Sequence, residues 1–145
     1  PTITVSASSA YQSGDNVGGK ITLTNAARVS GGLSKLVSLN ITDNANQKAA
    51  CTLLIFNANP TSATLTDNSA LALSTDGPKV IASVAIASAS FVTIDSKGFF
   101  TLNNIGYLLQ PASGTTLYAA LVTTGTPTYA ATTDLKIDFG IEYIN

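Results

Sequence analysis

The sequence predicts an all-β chain: an antiparallel β-sandwich of the jelly-roll or Greek-key type, with at most one or two short helical turns. Three observations predict it. In Leu135–Tyr143 the apolar residues Leu135, Ile137, Phe139, Ile141 and Tyr143 alternate with Lys136, Asp138, Gly140 and Glu142. A period of two puts one set on a single wall of a strand, where a helix would scatter it. Residues 49–56 form an almost unbroken apolar run of strand length, interrupted only by Thr52, the signature of a central strand covered on both faces. Turn residues recur at the 8–12 residue spacing of short sandwich strands. Leu135–Tyr143 reads as the strand around which the rest is arranged.

The elements follow in order. Residues 3–5 (Ile-Thr-Val) are a short strand signal. Residues 11–19, with three glycines and Asp15-Asn16, have loop chemistry. Residues 20–24 alternate Ile21 and Leu23 with polar residues, and 25–29 continue that strand until Ser30-Gly31-Gly32 breaks it. Residues 33–42 place Val37, Leu39 and Ile41 on one face, and 43–47 form an Asx-rich turn. After the central run, residues 57–67 make a long polar connection. Asp67 or Asn68 is placed to cap one helical turn over 69–73, which Asp76-Gly77-Pro78 ends. Residues 79–86 align Val80, Ala82, Val84 and Ile86. Short strands follow at 91–94, 99–102 and 105–109. Residues 95–98 form a hairpin turn that assigns positive φ to Gly98. Pro111 to Gly114 turn the chain, 117–123 is an Ala-rich strand, and 124–134 is a Thr- and Ala-rich loop. The chain carries no fixed internal repeat, which argues against a propeller or solenoid.

A length of 145 residues fits one domain, 1–145, with residues 1–10 as an N-terminal arm. Charged residues are only 10% of the chain, against roughly 25% in an average globular domain. The sequence holds 35 Ser and Thr and 20 Ala. Such a hydroxyl-rich, weakly charged surface lies against another protein with little charge to desolvate. A net charge of −1 gives little colloidal protection, so the composition points to a protein that works assembled. The seven cations are spread singly, which speaks against nucleic-acid binding. No stretch has the roughly 18 apolar residues of a membrane-spanning helix. No basic-plus-apolar leader stands at the start, and the opening at Pro1 gives the expectation of a cytosolic product that has lost its initiator Met.

The single Cys51 has no internal disulfide partner and, within an apolar run, reads as a buried inert thiol. His is absent, which removes Ser-His-Asp and Cys-His catalysis and most zinc sites. Asp138 and Glu142 share a strand face about 13 Å apart at about 3.3 Å per residue, too far for a working carboxylate pair. Asp43-Asn44-Ala45-Asn46 and Asp67-Asn68 lack the order and closing Glu of a calcium loop. Gly18-Gly19 and Gly31-Gly32 flank a strand rather than open a helix, so no phosphate cradle is implied. Tyr107, Tyr118, Tyr129 and Tyr143 are not spaced as a sugar-stacking platform and read as core or interface residues. The chain is expected to be no enzyme and to need neither cofactor nor metal.

A resemblance adds to this. Gly106-Tyr107, then Ala112 through Tyr118 (Ala-Ser-Gly-Thr-Thr-Leu-Tyr), Leu121-Val122-Thr123 and Gly125 through Tyr129 (Gly-Thr-Pro-Thr-Tyr) resemble small virion proteins encoded beside major capsid proteins in tailed-phage genomes. Arg28 to Gly32, Ile41-Thr42-Asp43 and Phe56 to Pro60 fit the same pattern. The resemblance covers most of the chain, though its motifs are turns and strands rather than catalytic signatures. It implies a cement or decoration protein, often a jelly roll. Such a protein is made in the host cytoplasm, carried on the exterior of the icosahedral capsid, and bridges major capsid protein subunits as a homodimer or homotrimer. The rival is a carbohydrate- or receptor-binding sandwich of a phage tail or fibre. Long hydroxyl-rich loops are the expected contacts: Asn59, Pro60, Thr61 and Thr64 in the first, Thr126, Pro127 and Tyr129 in the second, with the N-terminal arm as a third candidate.

Overall fold

Alternating apolar residues build nine antiparallel strands among residues 3–144, the part of the chain that the computed structural model describes. They are β1 (Asp15–Leu23), β2 (Ser34–Asp43), β3 (Cys51–Phe56), β4 (Ser69–Ala70), β5 (Val80–Ile86), β6 (Val92–Ile94), β7 (Lys97–Leu109), β8 (Leu117–Thr123) and β9 (Leu135–Tyr143). One sheet runs β4-β1-β8-β3-β5 and the other β6-β7-β2-β9. Pairs β1·β8, β2·β7 and β3·β5 nest inside one another, the wiring of a long hairpin rolled into a sandwich. The fold is the predicted all-β sandwich.

The inner faces interlock in one core. Leu36, Leu39, Ile41, Leu135 and Ile137 come from the four-stranded sheet. Val17, Ile21, Leu53, Ile55, Ala119 and Leu121 come from the five-stranded one. Of the β9 residues expected on the core side, Leu135 and Ile137 are buried and Phe139 is half-buried against the core. β9 is nonetheless an edge strand, paired to β2 alone. The apolar run of β3 lies between β5 and β8. Leu53 and Ile55 enter the main core. Phe56 enters a second cluster with Leu65 and Ala120, flanked by Leu54, Leu71, Leu73, Val80 and Tyr118. The segment between β3 and β5 therefore covers the outer face of the sheet, and β3 is apolar on both sides because both sides are covered.

Bulges explain most departures from the simple alternation. The β2 register shifts between Leu36 and Ser38. Leu36 takes the core position, and Val37, expected there, is only half-buried. Residues 11–19 are not all loop: β1 begins at Asp15, and its register shifts between Val17 and Ile21. Gly18 (φ 78°) and Gly19 (φ 74°) supply the left-handed backbone of that irregularity. The two strands expected over 99–109 are one strand, β7, which carries Asn104 (φ 57°) and Gly106 (φ 78°). In the β6–β7 hairpin the positive φ values fall on Asp95 (49°) and Ser96 (57°), not on Gly98, giving a two-residue turn.

Other elements also differ from expectation. Residues 3–5 form no strand, although Ile3 and Val5 are buried, and 25–29 do not extend β1. The helical turn is a 3-10 turn at Ser74–Lys79, which contains Pro78 rather than ending before it. Residues 69–70 instead form β4. Asp67 caps no helix because its carboxylate is engaged elsewhere.

Candidate interaction surface

The N-terminal segment is not a free arm over the residues described. Val5 N–H donates to the Thr132 carbonyl, Ser8 N–H to that of Tyr129 and Tyr11 N–H to that of Pro127. Tyr11 and Tyr129 are both buried, their rings edge to face at 5.9 Å. The segment and the 124–134 loop thus clasp each other over the core. Pro1 and Thr2 lie outside the described residues. This corrects the expectation that Pro127 and Tyr129 of the second loop are contact residues. Tyr129 is 2% exposed and Pro127 is buried, so neither presents contact area, while Thr126 is exposed. Burial pushes the Tyr129 hydroxyl well above its ordinary range, with nearby Asp43 and Cys51 adding to the effect.

The 57–67 connection is pinned from beneath. Asp76, itself buried, accepts N–H bonds from Ser62 (2.6 Å) and Ala63 (2.7 Å) and an ion pair from Lys79 Nζ (2.6 Å). The Lys79 ammonium and those two N–H donors hold its carboxyl below the usual carboxylate range. Asn59, Thr61 and Thr64 are exposed on this loop, whereas Pro60 is buried. Asn59 also receives Lys20 Nζ on its side chain and Lys79 Nζ on its carbonyl. The structure brings Asn59, Thr61 and Thr64 together on one loop. Thr126 belongs to a different loop, which packs with Gln47 to Ala50 and Ser88 around an open groove of about 320 Å³.

Large exposed apolar residues lie elsewhere. Val92 and Ile94 are exposed on the short edge strand β6, and Val29, Leu33, Tyr107, Leu108, Tyr143 and Ile144 are exposed as well. Ser34 pairs with Leu109 on one side and Tyr143 on the other, Lys35 with Leu108, and Leu36 with Tyr107. Ile144 N–H donates to the Leu33 carbonyl. Five of these residues thus lie at the Ser34 end of the four-stranded sheet, on both of its faces: Leu108 shares the outer face with Lys35 and Glu142, and Tyr107 and Tyr143 share the face of buried Leu36 and Ser34. Val29 belongs to the turn that leads into it (Gly32 N–H to the Val29 carbonyl, 2.9 Å). Gathered apolar residues on a surface mark contact sites; single ones do not. Sequence reasoning missed this patch. One signal was present: Tyr107-Leu108-Leu109 is three apolar residues in succession, so a half-buried strand must turn at least one outward. Leu109 is buried and Leu108 is 63% exposed.

Of the four tyrosines considered for stacking, Tyr107 and Tyr143 are exposed at this end. Tyr118 is half-buried with the Lys20 ammonium 5.6 Å from its ring centre, and Tyr129 is in the core. Tyr143 also donates its hydroxyl to the Asn25 carbonyl (2.7 Å), tying β9 to the turn after β1.

Among the described residues no three His, Cys, Asp or Glu side chains group together, and no helix is long and apolar enough to cross a membrane. Cys51 is buried, and desolvation with nearby Asp43 pushes its thiol up to about 12, leaving almost no thiolate at neutral pH. Asp43 is buried too. Desolvation raises its carboxyl, although it accepts N–H bonds from Lys48 (2.7 Å) and Ala45 (3.1 Å). No family model matches the chain, and neither a curated protein nor a solved structure matches it significantly.

Proposed function

We propose that this chain is a non-enzymatic virion structural protein, a cement or decoration protein that binds the outside of an icosahedral phage head and bridges neighbouring major capsid protein subunits. The observation that carries the reading is the set of exposed apolar residues at the Ser34 end of the four-stranded sheet, around the Lys35–Glu142 ion pair, in a chain with few charges. Such a patch buries against a protein partner with little desolvation cost. The pinned loops and rigid sandwich support the same reading, because a pre-ordered surface loses little entropy on docking. The mechanism is mass action: a chain that binds the assembled shell and not separated subunits stabilises the shell by its binding energy. Many symmetric copies multiply a modest contact.

The test uses icosahedral heads purified from the phage encoding the chain. Recovery of the protein on intact heads, in near-stoichiometric amount to the shell protein, is the expected result. Its recovery on tails or fibres alone, or its absence from particles, overturns the reading.

A further inference from the structure

We infer that β9 is a self-association edge, along which two copies of this chain join antiparallel about a twofold axis passing through Phe139. The inference goes beyond the proposed attachment to a shell and concerns the purified chain alone.

The first ground is that β9 is a long and regular open edge; residues 100–109 of β7 are also unpaired on the side away from β2, but Asn104 and Gly106, both left-handed, interrupt that edge. The four sheet edges are β4, β5, β6 and β9. β4 has two residues and β6 three, too short to template another chain. β5 is shorter, with seven residues, and it contacts β7 of the opposite sheet, which the chain reaches from β5 through β6. β9 presents nine residues with no proline. Natural edges of this length are ordinarily blunted by proline, bulges or inward-pointing charge. Here the charges of β9 all lie on the outer face, and its inner-face residues Phe139 and Ile141 are only half-buried. Beside them an open groove of about 320 Å³ runs between Asp138, Phe139 and Ile141 of β9 and Thr22 to Thr24 at the end of β1. The sandwich is therefore unclosed along this edge, and a second strand laid there would cover the half-exposed apolar residues.

The second ground is charge. A twofold axis perpendicular to the sheet must pass through one residue of the strand, so each register can be judged by what it brings face to face. Centred on Phe139, all nine residues of β9 are paired. Lys136 of each copy then faces Glu142 of the other, and Asp138 faces Gly140, which has no side chain to oppose it. Within one chain Lys136 already pairs with Asp138 (2.9 Å) and Glu142 with Lys35 (3.1 Å). The seam thus alternates in sign, from Lys35 to Glu142 to the second copy's Lys136 and Asp138. Centred on Asp138, that residue would face its own copy and Asp134 would face Glu142. Centred on Gly140, Asp138 would face Glu142. Like charges directly opposite disfavour both registers. Centring on Ile137 or Ile141 leaves much of the strand unpaired. Register, overlap and charge agree only at Phe139.

The experiment reads both association and register. Sedimentation equilibrium of the wild-type chain should show a dimer, and Lys136→Glu, which sets like charges across the seam twice, should raise the dissociation constant about tenfold. Directly opposed residues in antiparallel strands have α-carbons about 4.5–5.5 Å apart, within the range of a disulfide. Lys136→Cys and Glu142→Cys are exposed substitutions, and Cys51 is buried and does not compete. Under mild oxidation a mixture of the two single variants should yield a covalent dimer, and neither variant alone should. A wild-type chain that stays monomeric at high concentration overturns the inference. So does a mixture that fails to cross-link, or a single variant that links to itself. Failure on phage heads with a cross-linked dimer would sink the shell reading and leave this one standing.

Discussion

The Tyr11 hydroxyl donates a hydrogen bond to Asp67 Oδ1 at 2.6 Å, joining the docked N-terminal segment to the connection that covers the outer face of the five-stranded sheet. The same carboxylate accepts from Ser6 Oγ (2.6 Å) and from Gly18 N–H (2.6 Å) within the β1 bulge. One side chain of the 57–67 connection therefore holds both the N-terminal segment and the β1 bulge. Asp67→Ala strands several donors at once and is expected to cost about 2–4 kcal/mol in urea unfolding, with Tyr11→Phe nearer 1 kcal/mol. Desolvation, then the bond to Asp67, pushes the Tyr11 hydroxyl far above 10. A group whose folded pKa is raised contributes its full stability below the unfolded value of about 10 and loses it as pH rises beyond that. Stability should therefore fall between pH 10 and 12, and less steeply in Tyr11→Phe. Equal slopes in the two proteins would contradict this.

Phe56 is fully buried, but outside the main core, in the cluster with Leu65 and Ala120. Phe56→Ala should cost about 3–5 kcal/mol in a denaturant titration. The loss should loosen the 57–79 cover before the sandwich itself, so amide exchange should rise first at Leu65 and Leu71. Uniform exchange across both sheets would show that the two cores open together.

The strand pattern was legible because burial imposes a period of two. β3 and β9 obey it, and their core residues fell where alternation put them. It failed where the backbone itself is irregular. At Val37 a bulge reverses the faces, and at Gly18-Gly19 it lies inside a strand whose glycines looked like a loop. Paired glycines between two alternating stretches were the available sign of a bulge. The role of Asp67 was not legible at all, because Ser6, Tyr11 and Gly18 become its neighbours only through the fold. The same holds for the contact residues. Tyr129 and Pro127 sit in a loop rich in Thr and Ala, yet the loop folds inward to receive Tyr11.

Asp76 gives an acid-side prediction. Its lowered pKa means its contribution is complete above the ordinary carboxylate value of 3.8 and is lost as pH falls below it. Asp43 runs the other way: its carboxyl is raised by burial, so protonation favours the folded chain. The wild-type curve mixes the two, and the difference between wild type and Asp76→Asn isolates the first. That difference should be largest near pH 5–6 and shrink toward pH 2 in thermal unfolding. A difference that stays constant across this range would mean that Asp76 acts by packing rather than by charge.

The apolar patch yields the prediction that bears most directly on function. Leu108 is its most exposed member at 63% and sits on the outer part of β7, beyond the reach of β6, which pairs only with Lys97, Gly98 and Phe99. A surface substitution of this kind ordinarily changes stability by no more than about 0.5 kcal/mol. Leu108→Lys should thus leave the unfolding midpoint almost unchanged while placing a second cation in the proposed contact, directly across the strands from Lys35. Burying like charges side by side is costly, so attachment to purified heads should fall at least tenfold. Raising the salt should not restore it, and the wild-type chain should bind nearly equally at low and high salt because few charges take part. Thr61→Lys and Thr126→Lys, on the two loops that sequence reasoning favoured, serve as the comparison. If either abolishes attachment while Leu108→Lys binds normally, the contact belongs to that loop, and the apolar end of the sheet has some other use.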